Sequence, residues 1–232
     1  MIDWHSHILP GMDDGSKDVT ESLTMLQMHS NQQVSTVIAT PHFYANDEAV
    51  ATFVERRAKA YEALKEQLPE NAPRILLGAE VRYYQGISRM EDLKDLRIEG
   101  SKLLLLEMPM MVWTEYMVRE LIELSGKSRI QVVLAHVDRY LRFQKQSVWH
   151  RIAESGILMQ VNGSAFTELA TRRKAIWLLQ EGMAQFIGSD CHNLTDRTPR
   201  LDKAFQVIRK KLGDDYLDQM KQYGYSLLAT NL

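Results

Sequence analysis

An α/β fold with seven β-α units in one barrel-like domain is what this 232-residue chain predicts. Three observations carry the prediction. Short runs rich in Val, Ile and Leu recur along the chain, several of them too apolar for half-exposed strands, so they read as buried parallel strands. Segments of helical periodicity lie between them. Strand starts fall roughly 26 to 40 residues apart, the spacing of β-α units, and no linker, repeat or shift in composition divides the chain. One domain over residues 1–232 follows. An open doubly wound sheet is the alternative that periodicity alone does not separate.

The elements follow in order. Met1–His7 is the first strand, and Asp18 with Glu21 has the form of a capping box that opens a helix. Val34–Thr40 is the second strand. Val50, Phe53, Val54, Tyr61, Leu64 and Leu68 then share one helical face. Strands are expected at Arg74–Val81, Leu103–Met108, Ile130–Val137, Ile157–Asn162 and Met183–Ser189. After the last of them, Leu201, Ala204, Phe205, Ile208 and Leu212 form another apolar helix face.

Composition removes several function classes. The 28 Lys+Arg against 30 Asp+Glu give a formal net charge of −2, with no basic excess to drive nucleic-acid binding. Hydrophobic residues make up 45% and charged residues 25%, ordinary globular usage with no disordered block. A single cysteine, Cys191, forms no intrachain disulfide. No Lys or Arg precedes Lys17, and the longest apolar stretch, Leu103–Trp113, is broken by Glu107 and Pro109. That is well short of the roughly 18 residues of a membrane span, so the expectation is a cytoplasmic protein without membrane insertion.

The chemistry lies where polar residues fall. His5, His7, His42, His136 and His192 sit at or just past the C-terminal ends of predicted strands, and Glu80, Glu107 and Asp190 share that placement. Parallel strands point one way, so these residues converge on the rim where such folds place their chemistry. In Asp3-Trp4-His5-Ser6-His7, strand alternation puts Asp3, His5 and His7 on one face, with the two imidazoles able to grip one ion and Asp3 placed to orient them. Asp13-Asp14-Gly15 adds carboxylates after the first strand, although Asp-Gly is also ordinary turn sequence. Each feature has a bland reading alone: a loop histidine, or a carboxylate salt-bridged to arginine. Together they exceed one tetrahedral zinc site and fit two or three divalent ions, with manganese, iron and zinc all compatible. Arg139 and Arg197 follow two of the proposed ligands, and the guanidinium fork matches phosphate. His29 and His150 fall in predicted helices away from the rim and receive no role.

Cys191 and Arg197 match the Cys-x5-Arg spacing of thiol phosphatases by chance. The five residues between them contain no glycine, and Asp196 would put a carboxylate into a phosphate cradle. Cys191 also alternates with Asp190 and His192, so its sulfur should face away from the rim.

Taken in order, Asp3-x-His5-x-His7, Asp13-Asp14-Gly15, Pro41-His42, Gly78-Ala-Glu80, Glu107, His136-Val-Asp-Arg139 and Ser189-Asp190-x-His192 resemble the polymerase and histidinol phosphatase (PHP) superfamily. Within it the set is most similar to bacterial manganese-dependent protein tyrosine phosphatases of capsular and exopolysaccharide operons. The resemblance runs from Met1 through at least Pro199. It implies a distorted (β/α)7 barrel with the metal site at the C-terminal ends of its strands. It also implies three divalent ions: one on His5, His7, Glu80 and Asp190, a second on Asp14, His42 and His192, a third on Glu80, Glu107 and His136. Arg139 and Arg197 match its phosphate-binding positions. Cys191 departs from the pattern, where a small apolar residue is usual.

The implied reaction is hydrolysis of phosphotyrosine by direct attack of a metal-bridging hydroxide, with no phosphoenzyme. The implied partner is the phosphotyrosine-containing tail of a polysaccharide-assembly tyrosine kinase. The alternatives are a phosphatase of the same fold for a small metabolite such as histidinol phosphate, and a non-catalytic module that captures phosphotyrosine.

Overall fold

The computed structural model describes residues 1–127 and 129–229. Among these the elements run β1 (Ile2–Ser6), α1 (Val19–Asn31), β2 (Thr36–Ala39), β3 (His42–Phe43), α2 (Val50–Lys65), β4 (Arg74–Leu77), β5 (Glu80–Arg82), β6 (Leu103–Glu107), α3 (Glu115–Ser125), β7 (Gln131–Leu134), α4 (Gln146–Glu154), β8 (Leu158–Asn162), α5 (Ser164–Thr167), α6 (Leu169–Gln180), β9 (Phe186–Gly188), α7 (Leu201–Leu212) and α8 (Asp214–Ala229). The class is α/β. Every strand pair is parallel, in the orders β1-β2-β4 and β3-β5-β6-β7-β8-β9.

One expected strand, Arg74–Val81, is split in two, and a short strand that was not expected, β3, follows the expected Val34–Thr40. Thr40-Pro41 separates β2 from β3, because proline has no N–H to give to the ladder. Gly78-Ala79 separates β4 from β5, and a Cβ on Gly78 would press on Ile98 and Thr40 at 3.2 and 3.3 Å. The sheet curls until its first strand meets the segment after its last. Asp190 N–H donates to His5 O at 2.7 Å, and His7 N–H to Cys191 O at 2.9 Å.

Inside the curl, Ile2, Trp4, Ile38, Leu105, Val133 and Phe186 form a small core, with Trp4 and Phe186 stacked at 3.8 Å. Tyr225, Leu227 and Leu228 of α8 pack against it, and a Cβ on Gly224 would lie 2.8 Å from the Trp4 ring. Helix α8 therefore covers the end of the curl opposite the polar rim. A larger core, which Leu217 of α8 also joins, lies between the strands and the helices.

Local signals set the helices. Asp18 caps α1 by accepting from Glu21 N–H at 2.9 Å, and the Glu21 carboxylate returns to Lys17 N–H at 2.9 Å. In α2 the buried face is Val50, Phe53, Arg57 and Leu64, and the helix ends before Leu68. Arg57 is buried because its guanidinium donates to the Gly78 and Asp95 carbonyls at 2.7 and 3.0 Å. In α7 the expected face is buried at Leu201, Ala204, Phe205 and Ile208. No helix among the described residues is long and apolar enough to cross a membrane.

Candidate metal centre

β1 delivers two fully buried imidazoles whose Nε2 atoms lie 3.1 Å apart. Both face Glu80 at the start of β5, with Glu80 Oε2 3.1 Å from His5 and 3.3 Å from His7. His42, opening β3, places Nδ1 2.9 Å from the same oxygen. His136, past the end of β7, reaches Glu80 Oε1 at 2.9 Å and Glu107 Oε1 at 3.6 Å. Asp190, past β9, sets Oδ1 3.7 Å from both His5 and His7. Asp14 Oδ1 lies 3.4 Å from His42 Nε2 and 3.4 Å from His192 Nε2. The nine residues expected as ligands are thus gathered in one cluster with Glu80 at its centre.

Potential ligand atoms fall within 4.8 Å of one another in His7, Asp14, His42 and His192, in His5, His7 and Asp190, and in His42, Glu80 and Glu107. His7 and His42 each belong to two of these groups, so the geometry is more shared than the grouping implied by the resemblance. Arg139 and Arg197 are also at the cluster. Arg139 donates to Asp190 Oδ2, and Arg197 Nη2 to Asp190 Oδ1 at 2.9 Å. With Asn162, Ser164, Thr198 and Arg200 they line a cleft of about 240 Å³ beside Asp190.

The donor set fits a cation. Among the described residues, His42 Nδ1, Glu80 Oε2, Glu107 Oε2 and His192 Nε2 are buried polar atoms without a hydrogen-bond partner. His42 Nδ1 and Glu80 Oε2 are close but lack the alignment of a hydrogen bond. Stranding so many polar atoms in one place is costly unless a positive ion takes their lone pairs. The electrostatics agree. Burial opposes ionisation of Glu80, yet the surrounding His5, His136 and His42 hold its carboxyl well below the usual range. Burial and the neighbouring His7 push His192 down to about 4, leaving a neutral ring with a free lone pair. Burial also works against a charged His7, but the Asp13 carboxylate bonded to it and the nearby Glu80 carboxylate overcome this and raise it well above its ordinary value.

The chain strains its backbone to aim these groups. His136 and Asp190 both adopt left-handed conformations, with φ of 34° and 52°. For residues other than glycine this costs on the order of 1–3 kcal/mol each. At Gly188 the strands come so close that a Cβ would lie 2.5 Å from His5 Cβ and 2.8 Å from Gln160 Nε2.

One expected role is corrected. Asp3 does not orient His5 and His7. Between Asp3, opposite Val37, and Ser6, opposite Ala39, β1 advances three residues against two, and this bulge breaks the alternation. Asp3 turns instead to α1 and accepts from His29 Nε2 at 2.7 Å, and also from Ser189 N–H at 2.7 Å and Ser189 Oγ–H at 2.6 Å. His29, assigned no role from sequence, is therefore buried and paired, with Cys191 Sγ 4.0 Å away and facing away from the rim. His150 lies exposed on α4.

The orienting partners are Asp13, named from the sequence only as a possible carboxylate, and Gln160 and Asn162, which sequence reasoning passed over. Asp13 Oδ2 pairs with His7 Nδ1 at 2.7 Å and accepts from His42 N–H at 2.8 Å. Gln160 Oε1 faces His5 Nδ1 at 3.2 Å, and Asn162 Nδ2 donates to Asp190 Oδ2 at 2.9 Å. Gln160 and Asn162 stand two apart at the end of the buried strand β8, the same alternation that marked His5 and His7.

Comparison with known proteins follows the same lines. Residues 1–224 match the family described as capsular polysaccharide synthesis, CpsB/CapC. The tyrosine-protein phosphatase YwqE of Bacillus subtilis is 30% identical, over 100% of this chain and 92% of its own length. The tyrosine-protein phosphatase CpsB of Streptococcus agalactiae is 29% identical over 95% of this chain and 94% of its own. A solved structure reported among those of YwqE from B. subtilis and CpsB from Streptococcus pneumoniae, described as unique metal-dependent tyrosine phosphatases, superposes with a TM-score of 0.86 at 25% identity, covering 100% of this chain and 96% of that one. A D-hydantoinase, 12% identical with a TM-score of 0.51 over 91% of this chain and 66% of that one, shares the fold alone. Over nearly its whole length, the chain belongs to the CpsB/CapC family of capsular polysaccharide synthesis.

Proposed function

We propose that this chain is a metal-dependent protein tyrosine phosphatase, a phosphoric monoester hydrolase acting on phosphotyrosine in the tail of a tyrosine kinase of polysaccharide assembly. The carrying observation is the convergence of His5, His7, His42, Glu80, Glu107, His136, Asp190 and His192 on one rim, with buried ligand atoms left without hydrogen-bond partners. Family membership and the names of the relatives supply the substrate class. The same reading takes the whole chain as one domain, its strands as a distorted barrel of seven β-α units, and its place as the cytoplasm, where a kinase tail would be met.

In this proposal His5, His7, Glu80 and Asp190 would hold one divalent ion. Asp14, His42 and His192 would hold a second, and Glu80, Glu107 and His136 a third, with manganese preferred over iron or zinc. Such ions, when bound, supply a water nucleophile ionised near neutral pH and positive charge against phosphoryl oxygens.

The protein's own groups do the rest. Asp13 orients His7 and Gln160 orients His5. Arg139 and Arg197 flank Asp190 at the edge of the cleft, so a phosphoryl group entering there can take their N–H groups on its equatorial oxygens. The charge of Arg139 is secure, because Asp190 overcomes the burial that would lower it and raises it above its usual value. The leaving phenolate has a parent pKa of about 10, so it needs little protonation and no dedicated general acid. Water attacks phosphorus in line, and no residue of the chain becomes phosphorylated.

The test is metal analysis of the purified protein together with turnover of a phosphotyrosine peptide and of histidinol phosphate, repeated on His136→Ala. Metal-dependent turnover that favours the peptide and collapses in the variant supports the proposal. Preference for histidinol phosphate, or full activity of His136→Ala, refutes it.

A further inference from the structure

The polar cluster is tied together by one side chain that is not among its ligands. Gln160 is completely buried, and it bonds groups at the ends of two other strands directly and a third through its neighbour Asn162. Its Oε1 lies 2.7 Å from the backbone N–H of His136 and 3.2 Å from His5 Nδ1. Its Nε2 lies 3.0 Å from Asn162 Oδ1, and Asn162 Nδ2 lies 2.9 Å from Asp190 Oδ2, which also receives Arg139.

The polarity of this chain of bonds is forced from one end. A backbone N–H can only donate, so the Gln160 atom facing His136 must be the amide oxygen. That oxygen can only accept, so His5 must carry its proton on Nδ1. In the neutral ring Nε2 is then the lone-pair atom, and Nε2 is the atom that faces Glu80, Asp190 and His7. In the other direction, the Gln160 NH2 must donate to Asn162 Oδ1. The Asn162 NH2 is thereby turned toward the Asp190 carboxylate. One amide thus sets the tautomer of His5, restrains the strained backbone of His136, and orients Asp190 and Arg139 through Asn162.

We propose that Gln160, acting with Asn162, is a positioning residue that presets His5, His136 and Asp190 for metal binding. The inference rests on the metal-centre reading above. Amide geometry carries it, because ligands held in one tautomer and orientation bind more tightly than free ones.

Three variants separate its arms. Gln160→Met keeps the volume and removes both the acceptor and the donor. Gln160→Glu keeps the acceptor for His5 and His136 but offers no donor to Asn162. Asn162→Ala removes the Asp190 arm and leaves His5 untouched. The readouts are the Nδ1–H tautomer signature of His5 in 15N-edited NMR of the metal-free protein, and Mn²⁺ affinity by competition with a chelator. We expect the Nδ1–H form in the wild type, Gln160→Glu and Asn162→Ala, and its loss in Gln160→Met. Mn²⁺ affinity should fall by about 10- to 100-fold in Gln160→Met and less in the other two.

A folded Gln160→Met with affinity within about twofold of wild type and an unchanged His5 signature overturns the inference. If that variant does not fold, Asn162→Ala decides: weaker Mn²⁺ binding supports the inference, and unchanged binding overturns it. A wild type that binds no Mn²⁺ refutes the metal-centre reading instead, and the inference of preset ligands with it, whereas a wild type that binds Mn²⁺ beside unaffected variants refutes the inference alone.

Discussion

Replacing Asp3 by Asn tests the seam where the curled sheet meets itself. Asp3 is fully buried and holds His29 of α1 and Ser189 of the β9 end with three bonds of 2.6 to 2.7 Å. Burial opposes a charged His29, but the Cys191 sulfur and the Asp3 carboxylate together push it up to about 10 from 6.5. A group raised on folding stabilises the native state fully below its unfolded pKa and loses that contribution as pH climbs to the folded value. At about pH 7 the shift corresponds to roughly 4 kcal/mol. Cys191 shares it, so about 2 kcal/mol belongs to Asp3, and one donor stranded by the amide adds about 1 kcal/mol.

Asp3→Asn should therefore cost about 3 kcal/mol near pH 7, or roughly 6–12 °C in Tm for a chain of this size. Near pH 9 the charge share shrinks and the gap should narrow to under about 2 kcal/mol. Urea unfolding of both proteins in excess EDTA, where bound metal adds nothing, measures it. A gap below about 1 kcal/mol near pH 7, or one that widens with pH, would refute the pairing argument.

Other consequences are simpler to read. Arg197→Ala should lower kcat/KM on a phosphotyrosine peptide by about 10²–10³ through loss of charge stabilisation, while metal content by atomic absorption stays at the wild-type value. Cys191→Ala should retain most activity and EDTA should abolish it, because the sulfur lies buried beside His29 and away from the cleft; an inactive, EDTA-insensitive result would restore a thiol mechanism. Gly188→Ala must move His5 or Gln160, each within 2.8 Å of the new methyl group. It should cost about 1–3 kcal/mol of stability and weaken Mn²⁺ binding, as seen in thermal melts with and without the metal.

How much of the site was legible follows from what carries each signal. His5, His7, His42, Glu80, Glu107, His136, Asp190 and His192 were readable because each is a polar residue that ends an apolar run, and parallel strands deliver such ends to one place. Asp14 rested on the family resemblance, and its neighbour Asp13 proves to be the partner of His7. Gln160 and Asn162 were missed although they alternate in the same way, because amides are weak metal ligands and the strand was read only for its apolar residues. His29 was set aside as a helix histidine, and its partner Asp3 was misassigned, because the β1 bulge leaves no mark in Asp-Trp-His-Ser-His.

Hydrophobic periodicity and strand-end polarity, both local properties, determined the α/β class, most of the order of the strands and which polar residues gather at the strand ends. The tertiary structure alone decided which partner each of those residues takes. Partner choice depends on register shifts, on the breaks at Thr40-Pro41 and Gly78-Ala79, and on contacts such as His5 with Gln160 that lie 155 residues apart. Such contacts are settled only when the sheet curls and its first strand meets its last, bringing His5 and His7 against Asp190 and His192.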